Sequence, residues 1–145
     1  MNLRSSIGAL LAAAGLLAVA GGFALSTQAA DEKKPYVVKD GKVDQHTYNG
    51  WRRYTESCLR CHGPDGSGSS YAPALTESLK TMSADDFNEV VVNGRKNVTT
   101  SAENVMPAFG EVEDVMNYLD DVYGYLKARS DGVIGRGRPE RFEQK

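Results

Sequence analysis

The sequence predicts an all-α domain of about three main helices with long loops, closed around a bound group rather than an apolar core alone. Three observations lead there. Apolar and aromatic residues recur at helical spacing in three separate stretches, and caps or acidic first turns open them. The stretches between are rich in Gly, Ser, Pro and Asn, which is loop composition. A chain of about 116 residues, once its leader is set aside, is also where a single core is marginal without help.

The leader comes first. Arg4 is the one charge before Ile7, and the 19 residues from Ile7 to Leu25 are all apolar or small. Ser26-Thr27-Gln28-Ala29-Ala30 follows, then an abrupt charged run from Asp31. That order is a secretory signal peptide, with the cut expected after Ala29 and Ala30 as the next choice. It implies a periplasmic protein. An uncleaved anchor is the competing reading, because 19 apolar residues just span a bilayer. The richness in Ala and Gly argues against it. No cysteine precedes Cys58, so a lipid anchor on a leader cysteine is excluded. Residues 1–29 are therefore read as signal peptide, 30–43 as an N-terminal arm, 44–129 as the folded domain and 130–145 as a tail. Without Arg4 the formal charge moves from −2 to −3, and nothing in that balance asks for nucleic acid.

Along the domain, Asp44 is a good cap, and Tyr48, Trp51, Tyr54 and Thr55 keep helical spacing up to Cys58. Gly50 inside that helix costs about 1 kcal/mol against alanine, so a close neighbour is expected there. Gly63 to Ser70 is a loop, and no Gly-Lys-Ser/Thr follows to make it a phosphate cradle. Ser83 with Asp85 and Asp86 opens a second helix that runs through Val90 and Val92 to a stop at Gly94. Val90-Val91-Val92 has strand propensity, but the caps bracket it as helix. Arg95 to Asn104 is polar and reads as loop. From Val112 or Glu113 the third helical pattern includes Val115, Met116, Leu119, Val122, Tyr123 and Leu126, and it fades near Arg129. Gly132 to Lys145 carries too little apolar surface to fold alone and reads as a solvated tail, its arginines included.

The chemistry lies in Cys58-Leu59-Arg60-Cys61-His62. C-x-x-C-H is the attachment signature of haem c. Two thiols three residues apart can each add to a vinyl group of one porphyrin, and the next histidine then faces the iron. Three other readings compete. A thioredoxin-type disulfide would follow a strand in a βαβ context, and none precedes Cys58. A closed zinc site needs about four protein ligands, and His46 is the only further Cys or His. A plain structural disulfide would leave His62 without a task. Haem is favoured over all three.

A sixth iron ligand is then sought, since cytochromes c complete the iron with a methionine thioether. Met1 leaves with the leader, and Met116 sits in a helical pattern that suits a core role. Met106 precedes Pro107, which keeps it extended and presents it from a loop. Met106 is the first candidate, Met82 the second and His46 the third. An acceptor should also orient the free ring N–H of His62. The carbonyl of Pro73, after the Gly-Ser loop, is the candidate.

These residues resemble the class I cytochrome c family. Gly50, Tyr54, Cys58, Cys61 and His62 are similar to its opening helix, and Ala72-Pro73-Ala74-Leu75 to its histidine-side loop. Met106-Pro107-Ala108-Phe109 resembles its ligand loop, and Asp121 to Leu126 its last helix. The resemblance implies one covalent haem c, with Gly50 and Tyr54 crossing the last helix near Val122 and Tyr125. One departure is a longer connection between Gly94 and Met106, where Thr99 to Glu103 looks like an insertion. A finer resemblance, to methanol-metabolism cytochromes of the cytochrome c-L type, rests on Val43 to Gly50, Cys61 to Pro73, Asn104 to Gly110 and Gly135 to Pro139. It implies a periplasmic electron carrier, not an enzyme. Its donor would be a quinoprotein (PQQ) alcohol dehydrogenase, and its acceptor a downstream cytochrome or oxidase. Two alternatives stay open: a haem sensor or small haem enzyme with an open iron, and a subunit of a membrane complex.

Overall fold

The computed structural model describes residues 33–98 and 103–142, so the leader and its cleavage site lie outside the described residues. The chain enters through a small antiparallel hairpin, β1 (Val38–Lys39) and β2 (Lys42–Val43), that pairs Val38 with Val43. Its turn is Asp40-Gly41, with φ of 51° and 75°. Two consecutive positive φ values make the turn whose twist matches paired strands, and Asp-Gly is the sequence that favours it. The expected arm is therefore folded.

Helix α1 (Gln45–Ser57) begins where expected: the Asp44 side chain accepts the Thr47 N–H at 3.0 Å. A short helix α2 (Leu59–His62) and a 3-10 turn (Pro64–Gly66) carry the chain past the cysteines, and α3 (Leu75–Ser78) follows. Helix α4 (Ala84–Asn93) opens on a reciprocal capping box between Ser83 and Asp86 and stops at Gly94. The caps thus overrule the strand propensity of the three valines. The third pattern divides into α5 (Glu113–Met116) and α6 (Leu119–Ser130). Its apolar spacing continues across the break because Val115 and Leu119 both reach the core, which hid the interruption.

Helices α1 and α6 cross at the centre of the molecule. At Gly50 a Cβ would lie 1.8 Å from the Asp121 carbonyl oxygen and 2.9 Å from the Tyr125 Cβ. Only glycine lets the backbones approach that closely. One turn on, the Tyr54 and Tyr125 rings meet at 5.7 Å in a tilted pair, both fully buried. Leu79, Phe87, Val91, Val122 and Leu126 complete the core around them. The crossing falls at the residues that the resemblance implies, Gly50 and Tyr54 against α6 at Asp121 and Tyr125.

Two readings need correction. Arg95 to Asn104 is not simply loop: β3 (Arg95–Val98) pairs antiparallel with β4 (Glu103–Met106), Arg95 opposite Met106. Met106 thus ends a strand instead of lying in a loop. The hairpin went unread because Arg95, Lys96 and Val105 are exposed and Met106 is only partly buried, so these positions show no alternating apolar pattern. The segment 130–142 is not a free tail either. Ile134 is buried, Val43 N–H donates to Glu140 O at 2.8 Å, and Phe142 N–H donates to Val43 O at 3.1 Å. Arg138 and Arg141 lie over the rings of Tyr48 and Trp51. Backbone pairing and cation–π stacking hold this strap where apolar content could not.

Candidate haem site

The attachment turn is built from α1 onward. Cys58 accepts the end of α1, its N–H donating to Tyr54 O at 2.9 Å, and its own carbonyl then starts α2 by accepting from His62 N–H at 3.0 Å. Cys58 is half-buried and Cys61 exposed, and both thiols are free. Burial pushes the Cys58 thiol up to about 11, with the neighbouring Cys61 adding to it. The two thiols stand three residues apart on the same turn.

His62 is buried. Its Nδ1 lies 3.2 Å from the carbonyl oxygen of Pro73. A carbonyl only accepts, so Nδ1 carries the hydrogen and Nε2 keeps its lone pair. Burial also lowers the affinity of the ring for a second proton, against a smaller opposing effect of the Pro73 carbonyl. A neutral imidazole with one oriented nitrogen is what a metal requires of histidine.

The Pro73 carbonyl is held there by a loop knitted back onto α2. Gly68 N–H donates to His62 O at 2.7 Å, Ser69 Oγ donates to Cys61 O, and Ser69 N–H donates to Ala72 O at 2.9 Å. The Tyr54 hydroxyl, pushed up to about 12 chiefly by burial, donates to Gly63 O at 2.5 Å and accepts from Gly66 N–H at 2.9 Å. It therefore ties the first turn of the loop to α1. Asp65, buried at φ 58°, accepts from Gly137 N–H at 2.9 Å and meets Arg136 Nε at 3.3 Å. Ser69 and Asp65 were not singled out by sequence reasoning, because a serine or aspartate in a Gly-Ser loop looks solvated.

On the other side, Met106 is partly buried against the core. The chain after it is clamped onto α4: Phe109 N–H donates to Val91 O at 2.9 Å and Gly110 N–H to Val92 O at 3.1 Å. At Gly94, φ is 72° and a Cβ would lie 2.6 Å from Met106 O. Met82 is partly buried too, after α3. His46 is far more exposed, its side chain 75% accessible and paired with Asp121 at 3.0 Å. Among the described residues no cluster of three or more His, Cys, Asp or Glu could hold a bare metal ion.

A family profile described as cytochrome C oxidase, cbb3-type, subunit III matches residues 45–126. Cytochrome c-555 of Methylococcus capsulatus is 44% identical over 100 residues, 68% of this chain and 75% of that protein. The chain belongs to the c-type cytochromes. Its cofactor is haem c, bound covalently. Cytochrome c-553I of Paracoccus denitrificans is 50% identical over 109 residues, and the match spans 75% of this cytochrome but only 48% of that relative's length. The crystal structure of the c-type cytochrome XoxG from Methylobacterium extorquens AM1 superposes with a TM-score of 0.66 at 41% identity, covering 80% of this chain and 77% of that one.

The donor set suits the group. Free thiols at Cys58 and Cys61 answer two vinyl carbons, and the buried His62 offers an oriented Nε2. Partly buried apolar side chains, Leu59, Leu75, Met82, Val92, Met106 and Phe109, border the core.

Proposed function

We propose that this cytochrome is an exported one-electron carrier of the periplasm. Residues 1–29 are removed, and residues 33–43 and 130–142 pack against the domain of residues 44–129. When bound, haem c supplies one iron that changes charge by one without proton transfer. Cys58 and Cys61 would hold the group through thioether bonds, and His62 and Met106 would hold its iron. The Pro73 carbonyl fixes the His62 tautomer and ring plane, so neither has to rearrange as the iron charge changes. The observation that carries this reading is a histidine with its Nδ1 already engaged by Pro73, together with a backbone held to α4 just after Met106 and packed closely against Gly94. A thioether held that way closes the iron, and a closed iron passes electrons without binding substrate.

The donor we propose is a quinoprotein (PQQ) alcohol dehydrogenase of methanol metabolism, with a further cytochrome or an oxidase as acceptor. Support comes from the likeness to XoxG and from the cytochrome c-L-like motifs. Among the described residues no helix is long and apolar enough to cross a membrane.

Absorption spectra of wild type, Met106→Ala and Met82→Ala test the ligand. Wild type should show the weak long-wavelength band of methionine-ligated ferric haem, and carbon monoxide should leave its reduced spectrum unchanged. Met106→Ala should lose the band and respond to carbon monoxide, while Met82→Ala keeps wild-type behaviour. Loss of the band in Met82→Ala alone would transfer the role to Met82. Rapid mixing with reduced PQQ methanol dehydrogenase tests the partner: failure to reduce the haem, with another donor succeeding, would refute it.

A further inference from the structure

The C-terminal strap and the outer face of α1 form a groove that the haem site does not use. A cavity of about 760 Å³ is lined by Gln45, Tyr48 and the strap from Arg138 to Phe142. It shares Gln45, Tyr48, Arg138 and Arg141 with a second cavity of about 500 Å³, which continues along α1 past Trp51 to Thr55 and Glu56. The two are one groove, and its far end reaches the last turn of α1 before Cys58.

The chemistry of the groove is cationic and aromatic. The Arg138 guanidinium lies 5.6 Å from the centres of both the Tyr48 and Trp51 rings, and that of Arg141 lies 4.8 Å from the Tyr48 ring. The carboxylates nearby are engaged by other cations: Glu140 by Lys42 at 3.3 Å, and Glu56 by Arg53 at 2.6 Å and by Arg52 at 3.8 Å. Arg138 and Arg141 have no carboxylate partner among the described residues, though Arg141 donates to the Gln45 side chain. Both are exposed. Stacked on a ring, a guanidinium keeps its edge N–H groups for an incoming acceptor in a fixed fork that matches carboxylates. In a chain of formal charge −2, two such cations held over the same ring stand out against the average field. Arginine and aromatic residues together are also the composition of interface centres.

We propose that this groove is a docking site for an acidic protein surface, with carboxylates of the partner bridging Arg138 and Arg141. That the partner is a redox protein rests on the function proposed above. A surface seated there lies beside the last turn of α1, which leads into Cys58.

Trp51 is the single tryptophan in the chain and sits in the groove, so its indole N–H gives one reporter signal in the NMR spectrum of the ferrous, haem-loaded protein. The probe is a hexaglutamate peptide, which needs no electron transfer to be read. The Trp51 signal should shift saturably and weaken with added salt. In Arg138→Glu/Arg141→Glu the affinity should fall roughly tenfold or more. Lys80→Glu, on an exposed residue after α3, should bind like wild type. Charge reversal could detach the strap from Val43, so Arg138→Gln is run alongside and should fall between wild type and the double variant. An unmoved Trp51 signal, equal binding by Arg138→Gln and wild type, or equal weakening in Lys80→Glu would overturn the docking site. An open iron in the spectra above would instead overturn the carrier reading and leave the peptide result standing.

Discussion

The two sides of the haem site are built by different means. On the histidine side, from Cys58 to Pro73, the chain is tied by side chains reaching in from the core: the Tyr54 hydroxyl, the Asp65 carboxylate and the buried His62 ring. On the methionine side, from Gly94 to Gly110, the ties are main-chain hydrogen bonds to α4 and one close backbone approach at Gly94. Val105 in that hairpin is 62% exposed. The contrast teaches that His62, proposed as one ligand, is fixed by packing, and Met106, proposed as the other, by backbone geometry. Of the insertion expected at Thr99 to Glu103, residues 99–102 lie outside the described residues.

The comparison can be broken at its common foundation. Gly50→Ala places a Cβ inside the Asp121 carbonyl and should cost about 3 kcal/mol or more, because both helices must separate. Thermal unfolding would show it, and a normal melting temperature would mean the α1–α6 crossing is looser than described. Tyr54→Phe bears on the histidine side alone. It strands the Gly63 carbonyl and the Gly66 N–H in a buried site, for about 2 kcal/mol by denaturant titration. The methionine band should survive that change.

Gly94→Ala sharpens the contrast from the other side. Alanine at φ 72°, with its Cβ against Met106 O, should cost about 1–2 kcal/mol. The effect should concentrate locally: the methionine band should weaken or melt at a lower temperature than the fold. If band and fold were lost together, the two sides would be one cooperative unit. Val105→Thr should be the mildest, within about 0.5 kcal/mol, since the side chain faces water. A larger loss would mean the hairpin is packed against something in solution.

Much of this was legible beforehand, and for a common reason. Asp44, Ser83 and Gly94 mark helix ends by satisfying backbone groups that a helix leaves unpaired, so they are readable wherever they stand. Gly50 was suspect because it is costly in a helix, and the Asp121 backbone explains it. The Asp40-Gly41 turn was equally readable and was passed over, because its two-residue strands are too short to show alternation. The β3–β4 hairpin and the strap were not readable. They are held by main-chain pairing and by stacking on Tyr48 and Trp51, and polar residues of many kinds could do the same.

By itself, then, the sequence determined the haem chemistry and the three main helices. Thiol spacing, the adjacent histidine and helix caps act within a few residues of chain, and each demands particular side chains. Tertiary structure brought the Pro73 carbonyl, already the candidate from sequence, to His62 Nδ1, and it alone decided how the chain around Met106 is held and that residues 130–142 fold back over α1. Those contacts join groups that every residue carries, or rings and cations far apart in sequence. Only the folded chain brings them within reach of one another.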